Sequence, residues 1–221
     1  MLTRSHSFLV AATSTAFVLS ASAAMATNYQ VYLIGGQSNG SGRGDASQLS
    51  GSLAKPQTDV RFYWHRTQKA ENAGTLPEDQ WIDLAPGSGH GKTAPVYPKE
   101  FGCEISFGRS MADADHKSHI AIIKYTHGGT NLNNNWATNG PQYTAFVATV
   151  QAGLKALSAS GDTYELRGML WDQGENDTNT LANANKYEAN LTALVSRIRK
   201  DIAGDTMLPF VIGGLSNSQD K

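Results

Sequence analysis

The strongest constraint on this chain is an alternation of two apolar patterns. Four short runs, Tyr29 to Ile34, His119 to Tyr125, Leu166 to Trp171 and Leu208 to Ile212, are rich in β-branched or aromatic residues and end in glycine or polar residues. Buried strands read this way. Between them, Tyr143, Phe146, Val147, Val150, Leu154 and Leu157 recur at spacings of three and four, as do Tyr187, Leu191, Leu194, Val195, Ile198 and Ile202. These spacings predict two helices. Strands alternating with helices imply a mainly parallel sheet covered on both faces, and such sheets gather their ligands beyond the carboxyl ends of the strands. Ser41 to Glu100 is rich in Gly, Ser, Pro and polar residues with little periodicity, and is expected to form long surface loops.

The first segment has Arg4 near its start, an apolar run from Phe8 to Leu19 and small residues ending in Ala24-Met25-Ala26. This order predicts a signal peptide over 1–26, a mature domain over 27–221 and a secreted or periplasmic location. The run is too short for a membrane span and nothing later is long enough, so no membrane partner is expected after cleavage. Removing the segment takes away Arg4 and no acid, so 18 bases against 19 acids become 17 against 19. The remaining bases are scattered without a stripe, which argues against nucleic acid. Cys103 is the single thiol, so no internal disulfide forms. The domain depends on its core, and its length suffices for one.

Three polar clusters follow predicted strands. Gly35-Gly36-Gln37-Ser38-Asn39-Gly40 puts a serine at a strand end among residues that let the backbone turn sharply. Ser38 there is a candidate nucleophile with amide hydrogens close by for an oxyanion; an ordinary Gly-Ser turn is the plain alternative. Gly36 to Gly40 also fits the G-x-S-x-G elbow of α/β-hydrolases, but that elbow belongs well inside its domain, whereas Ser38 follows the first strand. Thr126-His127-Gly128-Gly129-Thr130-Asn131-Leu132 brings glycines whose amides can approach a ligand, with His127 a candidate base. Trp171-Asp172-Gln173-Gly174-Glu175-Asn176-Asp177 gathers amides and carboxylates in one turn. Gln173 or Asn176 can donate to an oxyanion, and Glu175 or Asp177 can orient a base or anchor loops.

In this order, each after a strand, the clusters resemble the SGNH hydrolase superfamily, especially its sialate O-acetylesterase and acetylxylan esterase branch, carbohydrate esterase family six. Gly-Gln-Ser-Asn at 36–39 is similar to that branch's nucleophile block, Gly-Gly-Thr at 128–130 to its glycine block and Trp-Asp-Gln-Gly-Glu at 171–175 to its third block. Phe101-Gly102-Cys103-Glu104 with Ser106-Phe107-Gly108-Arg109 resembles the segment opening the first long helix, where a proline is more usual than Cys103. The resemblance implies a three-layer α/β/α fold of flavodoxin-like order and an esterase that removes acetyl groups from a carbohydrate without a cofactor. It makes Ser38 the nucleophile, and the amides of Ser38 and Gly129 with the side chain of Gln173 or Asn176 the oxyanion hole. Glu175 becomes a supporting residue. In the family the triad's acid and base lie in an Asp-x-x-His motif after the last strand; no histidine follows His127 here, and Asp220 precedes only Lys221. A missing C-terminal end is therefore expected. The rivals are a catalytically dead carbohydrate-binding protein and a generic lipase or thioesterase on the same scaffold.

Other features are set aside. Gly87 to Thr93 looks like a phosphate loop, but its first required glycine falls on Pro86. His65, His90, His116 and His119 show no metal-ligand spacing with cysteine or carboxylate, so no zinc site is expected. Trp64, Trp81 and Trp136 fall in predicted loops, where they can hold a sugar or pack beneath the loop.

Overall fold

The structure, a computed structural model, describes residues 25–65, 76–89 and 100–215. The expected signal peptide up to residue 24, the phosphate-loop residues from His90 onward and the last six residues lie outside this range. The chain runs β1 (Asn28–Gly36), α1 (Ser38–Ser41), β2 (Gly44–Asp45), β3 (Gln57–His65), β4 (Ile82–Leu84), β5 (Glu100–Phe101), α2 (Glu104–Ala114) and β6 (His119–Thr126). It continues through α3 (Pro141–Ala159), β7 (Thr163–Asp172), α4 (Leu181–Ala184), α5 (Tyr187–Arg197) and β8 (Phe210–Ile212).

Six strands form one sheet in the order β4-β3-β6-β1-β7-β8, and a two-stranded ribbon pairs β2 with β5. Only β4 is antiparallel to its neighbour in the main sheet. In chain order the parallel strands lie 2-3-1-4-5. A flavodoxin sheet lies 2-1-3-4-5, so the three-layer architecture holds while the first and third strands exchange places. β1 thereby becomes central, with Leu33 between Ile123 and Met169.

Period-two alternation divides the core. Val31, Leu33, Ala121, Ile123 and Tyr125 face α3 and α5, where they meet Phe146, Val150 and Leu194. Tyr32, Ile34, Ile120 and Ile122 face α2, where they meet Ile105 and Ala112. Pro141 at the first turn and Gly140 before it start α3, and its buried stripe includes Tyr143, Phe146, Val150, Leu154 and Leu157, as the spacing predicts. α5 widens after Arg197 into a π turn and stops at Gly204, whose φ is 60°.

One expectation fails. Ser41 to Glu100 is not all loop, because it contains β3, which pairs with β6 from Val60↔Ile120 to His65↔Tyr125. Its polar opening, Gln57-Thr58-Asp59, and Arg61 disguise it; Arg61 bonds Asp83 of β4 at the outer edge, and Asp59 bonds Arg109 of α2.

Candidate active site

β1, β6 and β7 end in register, with Gly36 beside both Thr126 and Asp172, so all three polar clusters leave the same edge. Backbone bonds continue past the strands. Gln37 N donates to Asp172 O at 2.9 Å, and His127 N donates to Gly36 O at 3.0 Å. Gly36 is obligatory because its φ is +140° and a Cβ there would lie 2.1 Å from Asp172 O.

From this base the chain winds into α1, which presents Ser38. Ser41 N donates to Gln37 O at 2.8 Å and Gly42 N to Ser38 O at 2.9 Å. Ser41 Oγ donates to Thr126 Oγ1 at 2.7 Å, tying the turn to β6. Ser38 is half-buried, and its hydroxyl bonds no described residue. The residues on either side of it share one anchor: Gln37 Nε2 donates to Glu175 Oε2 and Asn39 Nδ2 to Glu175 Oε1.

The glycine loop is tied to the third cluster. Asp177, buried, accepts from Leu132 N with both oxygens, at 3.2 and 3.1 Å. Gln173 Nε2 donates to Thr130 O at 2.8 Å and to Asp177 Oδ2 at 2.6 Å, and Asn176 Nδ2 donates to Gly129 O at 2.9 Å. The first two bonds correct the sequence reading of Gln173. Both of its amide hydrogens are engaged and the side chain is fully buried, so it is a strut between loops, with no hydrogen left for an oxyanion. Asn176 is half-exposed and, among the described residues, has given one. Gly129 is exposed at φ +72°, with open space where a Cβ would stand, and its amide donates to no described residue.

Beside these clusters Asp172 is half-buried. Burial raises its carboxyl above the ordinary range, and the charge of Glu175 adds to the effect. Beneath α1 lies a group that the sequence reading missed altogether. Lys124 is 1% exposed in β6 and its ammonium reaches Ser41 O at 2.8 Å, Glu104 Oε2 at 2.7 Å and Ser88 Oγ at 3.3 Å. Glu104, 0% exposed, accepts with its other oxygen from Ser88 Oγ and Gly102 N, both at 2.8 Å. The signal was available, since a lysine inside the run Ile-Ala-Ile-Ile-Lys-Tyr needs a buried carboxylate partner.

His116 and His119 are exposed at the amino end of β6, away from the site, whereas His65 and His127 leave its carboxyl edge. Folding also brings to His65 what spacing did not reveal: ligand atoms of His65, Glu78 and Asp79 lie within 4.8 Å of one another. Asp79 already bonds His65 Nδ1 at 2.9 Å. Of the three tryptophans expected in loops, Trp64 stands in a strand instead, while Trp81 and Trp136 lie in loops and pack beneath them. Trp64 is buried within β3, and Trp136 is 0% exposed, edge-on to Trp171 at 4.8 Å. Trp81 donates to Gly153 O at 2.9 Å. These three tryptophans pack the core and its margins.

A family model described as carbohydrate esterase, sialic acid-specific acetylesterase, matches residues 28–221. No curated protein sequence matches. Among solved structures, NanS aligns with a TM-score of 0.64 at 16% identity, over 88% of this chain and 70% of its own. A protein from Arabidopsis thaliana aligns at 0.61 and 20% identity, over 83% and 72%. These likenesses establish the fold, and the family model spans every residue of the site. The chain belongs to the sialic acid-specific acetylesterase family of carbohydrate esterases.

Proposed function

We propose that this chain is an exported serine esterase that removes acetyl groups from an acetylated carbohydrate, with Ser38 as nucleophile. The observation that carries the reading is the Ser38 turn: its hydroxyl bonds none of the described residues while Gln37 and Asn39, on either side, are both held by Glu175. A nucleophile needs an accessible oxygen on a rigid support. Ser38 Oγ attacks the acetyl carbonyl carbon and its proton passes to a base. The amides of Ser38 and Gly129 and the remaining amide hydrogen of Asn176 stabilise the oxyanion. Collapse expels the sugar oxygen, which takes the proton back from the base. A water that gives its proton to the same base then releases acetate from the acyl-serine as the serine oxygen is reprotonated. His127 is the candidate base among the described residues, because it leaves β6, the strand paired directly with β1, whereas His65 leaves β3, one strand further away.

The test is acetate release from p-nitrophenyl acetate and from acetylated xylan by the purified chain, beside Ser38→Ala and His127→Ala. Turnover well above background that Ser38→Ala abolishes supports the reading, and its loss in His127→Ala assigns the base. Wild-type rates equal to those of Ser38→Ala overturn it. Preference for long acyl chains over acetate would favour a lipase or thioesterase.

A further inference from the structure

We propose that Lys124 is a positioning residue for Ser38, acting through the carbonyl of Ser41. This rests on the reading of Ser38 as the nucleophile. An ammonium has three hydrogens, and all three of Lys124 are used: one on Glu104, one on Ser88 and one on Ser41 O. Glu104 neutralises the charge, and Ser88 joins the two by accepting from Lys124 and donating to Glu104. Every polar atom of the pair is satisfied, which is the condition under which a buried ion pair is tolerated.

The third hydrogen gives the network its direction. Were charge neutralisation the whole purpose, Glu104 and Ser88 would serve, but the ammonium also grips the last carbonyl of α1. That turn has four residues, too few to be stable alone. Among the described residues its backbone closures are Ser41 N to Gln37 O and Gly42 N to Ser38 O. Lys124 therefore fixes the turn from below, while Glu175 holds it from the side of Gln37 and Asn39. Gly102 N, which also bonds Glu104, lies against Gly42: a Cβ on Gly42 would come within 2.3 Å of it. One carboxylate thus fixes both the clamp and the strand end against which the turn closes.

The test compares wild type, Lys124→Met and the double variant Lys124→Met/Glu104→Gln by urea denaturation, by hydrogen exchange at the Gly42 amide and by kcat and KM on p-nitrophenyl acetate. Lys124→Met strands a buried carboxylate and loses stability. The double variant removes both charges, keeps an acceptor for Ser88 and Gly102, and recovers most of that stability. Exchange at Gly42 is expected to stay raised about tenfold or more in both variants, and kcat to stay about 100-fold low with KM little changed. A double variant that regains wild-type Gly42 exchange and kcat overturns the proposal, since Lys124 would then only balance charge. If wild type shows no Ser38-dependent turnover, the functional reading fails separately, and Gly42 exchange alone decides whether the clamp exists.

Discussion

Replacing Glu175 by glutamine changes one oxygen for one amide group and leaves shape almost untouched. In the native chain each carboxylate oxygen serves one donor, Gln37 Nε2 or Asn39 Nδ2. Glutamine has a single oxygen, so one donor must face another donor. Asn39 is exposed and can turn to water, whereas Gln37 is 2% exposed and cannot, so the surviving oxygen should go to Gln37. A bond to a charged acceptor, worth about 1.5–3 kcal/mol, is then replaced by a neutral one of about 1 kcal/mol. The substitution also relieves the repulsion between Glu175 and Asp172, a smaller effect of opposite sign. The expected net loss is about 1–2 kcal/mol, or roughly 2–8 °C in Tm for a domain of this size. If the Gln37 bond aims Ser38, kcat on p-nitrophenyl acetate should fall by about 10- to 100-fold at constant KM. Urea midpoints with an unchanged slope give the stability term. Asn39→Ala is the control, expected to cost under about 0.5 kcal/mol as an exposed contact. A Glu175→Gln midpoint equal to wild type, or an Asn39→Ala cost larger than that of Glu175→Gln, would refute the reasoning.

Trp136→Ala should cost about 3–5 kcal/mol in urea denaturation, because it empties the centre of an aromatic cluster with Tyr125, Phe146 and Trp171 and removes the Nε1 bond to Thr130 Oγ1; Trp136→Phe should cost less. Asp172→Asn should stabilise the chain at pH 7. The folded state raises this carboxyl, so its contribution is most favourable when protonated and is lost as pH rises from the unfolded value through the folded one. The advantage of the Asn variant in urea midpoint should therefore shrink between pH 7 and pH 4.

The sheet was legible in the sequence where a strand carries an unbroken apolar run. The apolar runs of β1, β6 and β7 and the period of α3 depend on little else. β3 was not, because it lies next to the short edge strand β4 and spends Asp59 and Arg61 on ion pairs that break its apolar pattern. At the site, strand ends announced where Ser38, Gly129, Glu175 and Asn176 would gather, since register alone brings them together. The direction of a side chain is not in the local pattern. Gln173 and Asn176 are equivalent as letters, and only the burial of Asp177 beside Gln173 separates a strut from a half-exposed amide. The apolar run around Lys124 signals a buried carboxylate partner, but that the partner is Glu104 was hidden, because the pair spans elements that no spacing rule connects.

The central position of β1 also sets the order in which this protein can come together. Ser41 meets Lys124 across 83 residues, and Gln37 meets Glu175 across 138. A ribosome making about 5–20 residues per second has finished β1 several seconds before either partner exists. The Ser38 turn then has nothing to fold against, and its apolar strand must wait for two later strands to enclose it. Closing loops of that length is what makes parallel sheets slow to form. The Ser38 end of the molecule should consequently be among the last parts to acquire native structure, and an early unfolded β1 is where a holding chaperone would have most to protect.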